Sequence, residues 1–412
     1  MTRRMSERRT SIIGAFLVAL GPVSMALYTP AMPELVHAFA SSEAAIKMTL
    51  SLYFGGFAFA QLVSGTLSDV IGRRRATLIF MAIYLAGSLM AAFAPSIAML
   101  LAGRLVQGIG ASVGMTVARA IVRDQFTGTT AARIMNMIGM MLALGPAVSP
   151  TLGGIALGLF GWQSIFLLMV GFALIACFIV QFFMIETVTP DRSKGRVGPI
   201  LAAYGELLAD GRFVSSTLVI AGAVGALYAW ATMLPFVLIG QVGLTPTEFG
   251  VGMLMQSGLF FSGTVTVRLL MRRFTPQALV PAGLAFIGAA SLALAFSMHT
   301  LEPTFLLVMA PIGIYAFGIA FVMPYMMTAA MAPFPHIAGT ASAVMGFIQM
   351  SAGLLGGALA ALVGAPALAL GTIIPGFGLI SIASYVWYRR TVRLNPLAVP
   401  ASSEEPLRDA AE

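Results

Sequence analysis

The sequence predicts an all-α integral membrane protein of twelve transmembrane helices in two six-helix bundles, with the N- and C-termini in the cytoplasm. Three observations carry this: a composition too apolar to be wetted, twelve apolar runs of crossing length, and basic residues gathered on one side. Of 412 residues, 59% are hydrophobic and 9% charged, with a mean hydropathy of +0.94; a soluble domain carries about 25% charged residues. No water satisfies backbone polar groups in hydrocarbon, so the runs must be helices or a closed barrel, and their length selects helices. The 28 Phe, 27 Met and 44 Gly suit helices packed closely in lipid.

The apolar runs fall at about residues 11–32, 44–67, 76–94, 97–121, 134–158, 163–185, 213–239, 247–270, 277–298, 303–331, 337–363 and 366–388. The first follows Arg8-Arg9 and precedes Ala38-Phe39-Ala40, which imitates a cleavable leader. It is longer than a signal core of about 7–15 residues, so it is read as a retained span. Ala94-Pro95-Ser96 and Gly161-Trp162 are read as tight outer hairpins. The longest polar stretch, 186–212, divides the spans six and six and is read as a cytoplasmic linker; apolar residues at helical spacing within 199–208 predict a short interfacial helix. The resulting division is 1–185, N-terminal bundle; 186–212, linker; 213–390, C-terminal bundle; and 391–412, a Pro/Ser/Glu-rich cytoplasmic tail given no fold.

With an even count both termini share a side, and the basic residues select the cytoplasm. All but two of the 23 Lys and Arg fall on inner segments, from Arg3, Arg4, Arg8 and Arg9 through Arg73 to Arg75, Arg119, Arg123 and Arg133 to Arg389, Arg390, Arg393 and Arg408. The exceptions are Lys47, near the outer end of span two, and Arg104, inside span four. The net charge of +8 is therefore membrane topology and attraction to lipid, not a nucleic-acid surface. Cys177 is the single cysteine, which excludes an internal disulfide and a thiol metal cluster. His37, His299 and His336 are scattered, no Walker-type phosphate loop occurs, and no acid or His/Ser cluster suggests an enzyme; no cofactor or metal is expected.

The halves resemble each other. Ala26-Leu27-Tyr28 recurs as Ala226-Leu227-Tyr228, Leu152-Gly153-Gly154 as Leu355-Gly356-Gly357, and Arg73 to Arg75 has a counterpart in Arg272-Arg273, all offset by about 200 residues. Two facing bundles enclose a central cavity at mid-membrane, where transporters bind substrate.

Three motifs are more specific. Gly65-Thr66-Leu67-Ser68-Asp69-Val70-Ile71-Gly72-Arg73-Arg74-Arg75 joins spans two and three. Gly65 is read as permitting close packing, Asp69 as a carboxylate at a helix end and Gly72 as a turn. The spacing matches G-x-L-x-D-x-x-G-R-R, so the chain resembles the major facilitator superfamily, in which this loop is thought to latch the halves at the cytoplasmic face. Arg104-Leu105-Val106-Gln107-Gly108 resembles the family's R-x-x-Q-G signature in span four. Arg104 is read either as a coupling charge or as a structural group bonded to backbone; either way, burial costs at least ~2.5 kcal/mol and calls for a partner. Gly145-Pro146, Pro150 and Gly153-Gly154 resemble the span-five signature of drug and proton antiporters, with Ser149 where a Gly usually stands. Met48-Thr49-Leu50-Ser51, Val122-Arg123-Asp124, Gly161-Trp162-Gln163, Glu186-Thr187 and Ala338 to Ala343 are similar to the Bcr/CflA-type multidrug exporters.

The resemblance departs at one point. Members commonly carry D-x-Y-x-P in span one; this chain reads Ala26-Leu27-Tyr28-Thr29-Pro30, and no Asp or Glu lies at mid-membrane depth. Asp69 and Glu34 remain as proton-coupling candidates, against a latch for the first and a solvated loop for the second. Lys47 either snorkels beside Glu43 or, with Arg104, makes the cavity positive, favouring neutral or anionic substrates. Lining candidates are Tyr28, Lys47, Tyr53, Gln61, Asn136, Met140, Tyr228, Trp230, Gln256, Tyr315 and Gln349. The expectation is a monomeric multidrug exporter of the bacterial inner membrane, exchanging small amphipathic compounds for protons. The alternative is a peptide or amino-acid exporter or facilitator without tight proton coupling. The bilayer, substrates and protons are its expected partners.

Overall fold

A computed structural model describes residues 4–394; Arg3, Arg408 and the tail from 395 lie outside the described residues. Every regular element described is helical. Span one is α1 (Glu7–Tyr28), a tight turn at Thr29–Ala31 and α2 (Met32–Ala38). Spans two and three are α3 (Glu43–Ile71) and α4 (Arg73–Ala92). Span four is α5 (Ile97–Ala111) and α6 (Val113–Gln125); spans five and six are α7 (Gly128–Phe160) and α8 (Gln163–Phe183). The connecting segment carries α9 (Val197–Ala209). Then come α10 (Gly211–Pro235), α11 (Pro246–Leu270), α12 (Pro276–Thr300), α13 (Phe305–Met331), α14 (Ala338–Val363) and α15 (Pro366–Leu394).

Eleven of these stretches are long and apolar enough to cross a bilayer by composition, among the described residues. The remaining expected span, 247–270, is α11. Its 25 residues reach about 37 Å at ~1.5 Å per residue, ample for a ~30 Å core. Gln256, Ser257, Ser262, Thr264 and Thr266 dilute its apolarity, and the last three satisfy their hydroxyls on their own helix's carbonyls. Helix starts follow local caps rather than the edge of the apolar run. Ser96 accepts from the Met99 N–H, Asp210 from the Arg212 and Phe213 N–H groups, and Thr245 forms a reciprocal capping box with Glu248.

Two spans are interrupted beside a hydroxyl that bonds back to the preceding turn. Pro30 has no N–H for the Ala26 carbonyl, and the Thr29 hydroxyl donates to that carbonyl at 2.9 Å. Ser112 donates likewise to the Ile109 carbonyl at 2.8 Å between α5 and α6. The predicted interfacial helix is α9. Its Val197, Leu201 and Leu208 are exposed, while the Tyr204 hydroxyl donates to the Leu62 carbonyl at 3.0 Å. Burial pushes the Tyr204 phenol above its ordinary range, so it stays a neutral donor.

In the first half α5 packs against both α3 and α4, and α1 packs on α6 and α7. Glycines permit backbone contact at these crossings. A Cβ on Gly108 would strike the Tyr53 carbonyl; one on Gly110 would strike the backbone of Tyr84, and one on Gly114 the Leu17 carbonyl. In the second half, Gly283 and Gly318 face one another across α12 and α13. The halves meet along two seams, α3 with α14 and α7 with α11. Under the 200-residue offset α3 corresponds to α11 and α7 to α14, so the repeat exchanges the two seams.

Lipid tails are as apolar as the helix surfaces, so packing contacts rather than water exclusion hold the bundle. Gly108→Ala is therefore expected to destabilise by about 1–3 kcal/mol, the range for overpacking. Gly171→Ala, where a Cβ meets no atom within 4 Å, should change little. Thermal unfolding in detergent compares the two.

Candidate substrate cavity and charged clusters

Between the halves lies a cavity of about 30 Å³, walled by α1, α7, α10 and α11. That is far below the ~300–1,000 Å³ of a small-molecule site, so the space as it stands admits water and not a substrate. Ala26 stands in the wall with Pro146 and Pro150; Trp230, Gln256 and Ser257 face them from the second half. The lining contains no charged residue. Trp230 is held edge-on by Tyr315, ring centroids 5.6 Å apart. The Gln256 Oε1 is buried without a hydrogen-bond partner and is the polar group a substrate could satisfy.

The outer side of this cavity is sealed by backbone contact between α7 and α11. A Cβ on Gly154 would collide with the Pro246 carbonyl, and one on Gly250 would lie 2.5 Å from the Pro150 carbonyl. The Thr151 hydroxyl donates to the Gly250 carbonyl at 3.0 Å. Gly153 turns the other way, against the Leu27 carbonyl of α1, and Gly145 faces Val23. The glycines of the span-five motif thus serve different neighbours, and only Gly154 crosses to the second half. Lys47 adds an outer contact: its buried ammonium pairs with Glu43 at 3.2 Å, donates to the Gly364 carbonyl at 3.4 Å and lies over the Phe236 ring at 4.9 Å. It ties α3 to the second half instead of lining the cavity.

Arg104 is enclosed within the first half. Its guanidinium lies between the rings of Tyr28 and Tyr53, 4.3 and 4.4 Å from their centroids, and donates to Gln107. Gln107 in turn donates to Ser88 at 2.8 Å. Among the described residues no carboxylate pairs with Arg104, and its Nε and Nη2 have no hydrogen-bond partner. Desolvated cation–π contacts contribute about 2 kcal/mol each, against an insertion cost of ~2.5–3.5 kcal/mol. The two rings can therefore hold the charge without an acid. Tyr28 and Tyr53 are satisfied by Thr49 at 2.5 Å and the Gly21 carbonyl at 2.9 Å, which places both in this cage and away from the cavity.

At the inner end, Arg73 is buried between Asp69 at 2.5 Å and Asp124 at 3.1 Å. The Glu186 carboxylate accepts the backbone N–H of Arg73 at 2.6 Å and of Arg74 at 3.2 Å, occupying the positive end of α4. Gly72 is fixed twice over, by φ +99° and by Glu186, which a Cβ would strike. Gly65 differs from expectation: a Cβ there meets nothing within 4 Å, so it is not a packing contact. The cluster joins α3, α4, α6 and the start of the linker, with Thr187 bonded to Asp124 at 2.9 Å. Among the described residues its ion pairs all lie in the first half, without a bridge to the second.

Of the remaining candidates, Glu34 is exposed on α2, outside the cavity. Asn136 and Met140 are exposed on the inner half of α7; Gln61 is buried against Gly346 of α14, and Gln349 is half-buried. Tyr228 is half-buried, its ring 5.4 Å from Phe54 across the halves. Arg119, counted above with the cytoplasmic collar, instead reaches the second half: its Nη1 donates to Ser342 at 2.9 Å, and Tyr228 is within electrostatic reach. The available signal was its setting in the apolar run Val117 to Val122.

This architecture and these motifs agree with the comparison to known proteins. Residues 11–357 match the Major Facilitator Superfamily. The chain belongs to that superfamily. It is 29% identical over 362 residues to the uncharacterised superfamily transporter YdgK of Bacillus subtilis (strain 168), covering 84% of this chain and 86% of the relative. It is 27% identical over 369 residues to the multidrug resistance protein MdtL of Salmonella schwarzengrund, covering 89% and 91%. Among solved structures, the D-xylose-proton symporter matches with TM-score 0.73 at 13% identity, covering 92% of this chain and 97% of that one. A bacterial homologue of the lysosomal transporter Spinster, inward-facing and unoccupied, matches with TM-score 0.72 at 15% identity, covering 94% and 97%. As a member of the Major Facilitator Superfamily, the protein is a multi-pass membrane transporter and not an enzyme.

In such a transporter the Gly154 contact sets how tightly the outer side closes. Gly154→Val is expected to part α7 from α11. A cysteine at Ser257, in a Cys177→Ser background, should then react faster with a membrane-impermeant maleimide added from outside.

Proposed function

We propose that the protein is a secondary-active exporter of small amphipathic compounds at the bacterial plasma membrane, working by alternating access with protons entering in exchange. The observation that carries the substrate part is the cavity lining: aromatic and apolar walls, Gln256 for one hydrogen bond, and no charge. Such a site accepts many shapes through Met and aromatic contacts. It leaves a cationic substrate without a counter-charge in a low dielectric, which disfavours cations. Full-length similarity to proteins named for multidrug resistance supports the exporter reading. In this reading the Asp69, Arg73, Asp124 and Glu186 cluster steadies the inner ends, Asp69 and Glu34 are the proton-coupling candidates, and Arg104 is a positive charge held within the first half.

A second reading is favoured by Ala26. With an alanine in the wall, the cavity holds no group for a proton to occupy in competition with substrate. A metabolite exporter or facilitator without tight proton coupling fits that lining.

Efflux into inverted membrane vesicles separates the two. Proton exchange predicts that collapsing the pH gradient with nigericin lowers accumulation of a neutral aromatic substrate several-fold. Accumulation indifferent to the gradient would select the second reading.

A further inference from the structure

A second cavity, of about 360 Å³, lies far from the central one, at the inner end of the groove between α1 and α8. Ser6, Arg8 and Arg9 form one end of it; Ile12, Ile13, Ile179 and Phe183 form the rest. Ile12 and Phe183 are also exposed beyond the groove, on the surface the bilayer covers. The site is thus polar and basic at the membrane surface and apolar where it enters the hydrocarbon.

The charges here are unbalanced. Arg8 and Arg9 stand in the first turn of a 22-residue helix, where a cation opposes the helix dipole. Arg8 has no hydrogen bond or ion pair among the described residues. Arg9 donates its Nε to the Phe183 carbonyl at the end of α8, leaving both terminal nitrogens open. The nearby acid, Glu7, is taken by Arg133 at 3.1 Å. Arg74 approaches the same end of α8 from the other flank, donating to the Gln181 carbonyl. An anion at the groove mouth would offset the opposed dipole and satisfy the free donors together. Apolar walls continuing into the bilayer fit the chain attached to that anion.

We propose that this groove is a binding site for an anionic phospholipid of the inner leaflet, its phosphodiester held by Arg8 and Arg9 and its acyl chain laid along Ile12, Ile179 and Phe183. Juxtamembrane basic residues attract anionic lipid, and a pocket between helices converts that attraction into a site. This binding does not depend on which substrate is exported.

Native mass spectrometry of the full-length protein in detergent, titrated with phosphatidylglycerol, phosphatidylcholine or inorganic phosphate, tests it. The wild-type protein is expected to retain one phosphatidylglycerol at a concentration about thirtyfold below that needed for phosphatidylcholine, given the contribution of two arginines near the surface. Arg8→Gln with Arg9→Gln should abolish that preference. Ile179→Trp, which fills the groove and keeps both arginines, should abolish the bound lipid. Arg390→Gln with Arg393→Gln, elsewhere on the basic collar, should leave both intact. Equal losses in the groove and collar variants would overturn the site, and so would release of the lipid by inorganic phosphate at equimolar concentration.

Discussion

The close approach of α5 to its neighbours is the contact on which the first half depends. Gly108 admits α3 and Gly110 admits α4, each to within backbone contact, and Gly114 just beyond Ser112 admits α1. With the three neighbours drawn in, Tyr28 from α1 and Tyr53 from α3 close on either face of Arg104. The glycine and the arginine of the R-x-x-Q-G signature are thus one device: the glycine sets the distance at which two rings can hold the arginine. A wider crossing would admit lipid or water beside a charge that has no carboxylate.

That enclosure determines the character of the centre. Arg104 is spent inside its own half and Lys47 on the outer contact with Gly364, so neither contributes charge to the cavity wall. Ala26 adds none. The cavity between the halves therefore presents Trp230, Gln256 and apolar side chains. Charge lies at its two ends: Lys47 with Glu43 outside, and Arg119 with the Asp69 and Glu186 cluster inside. The outer end is tied across the halves by Gly154, Gly250 and Lys47, and the inner end by the Arg119–Ser342 hydrogen bond and by Gln61 seated against Gly346, while the ion pairs of the Asp69 cluster stay within one half.

The fold was legible because a span is a property of length and apolarity, which a sequence carries directly. α11 shows the limit, since a helix that presents Gln256 and Ser257 to the opposite half is less apolar for that reason. The interruptions at Thr29–Ala31 and Ser112 were not anticipated, since both fall inside runs read as unbroken spans. Within the site, Trp230 and Gln256 were anticipated and line the cavity, and the Glu43–Lys47 pair is present. Tyr28 and Tyr53 were expected in the cavity wall and instead close on Arg104, because sequence spacing does not say which neighbour a helix face meets. Lys47 bonds a carbonyl 317 positions away. Arg119 was hidden because counting charges toward topology treats an arginine near an inner end as solvated, whereas this one reaches Ser342. Gly65 belongs to the signature without making a contact in this conformation.

The claim on which the functional reading rests is that the central cavity, with Ala26 in its wall, is free of charge. Efflux of a permanent organic cation, compared with a neutral aromatic compound in inverted vesicles, tests it in the wild-type protein and in Ala26→Asp. An uncharged cavity predicts that the wild type moves the neutral compound and not the cation, and that Ala26→Asp gains the cation. Wild-type efflux of the cation matching that of the neutral compound would contradict it.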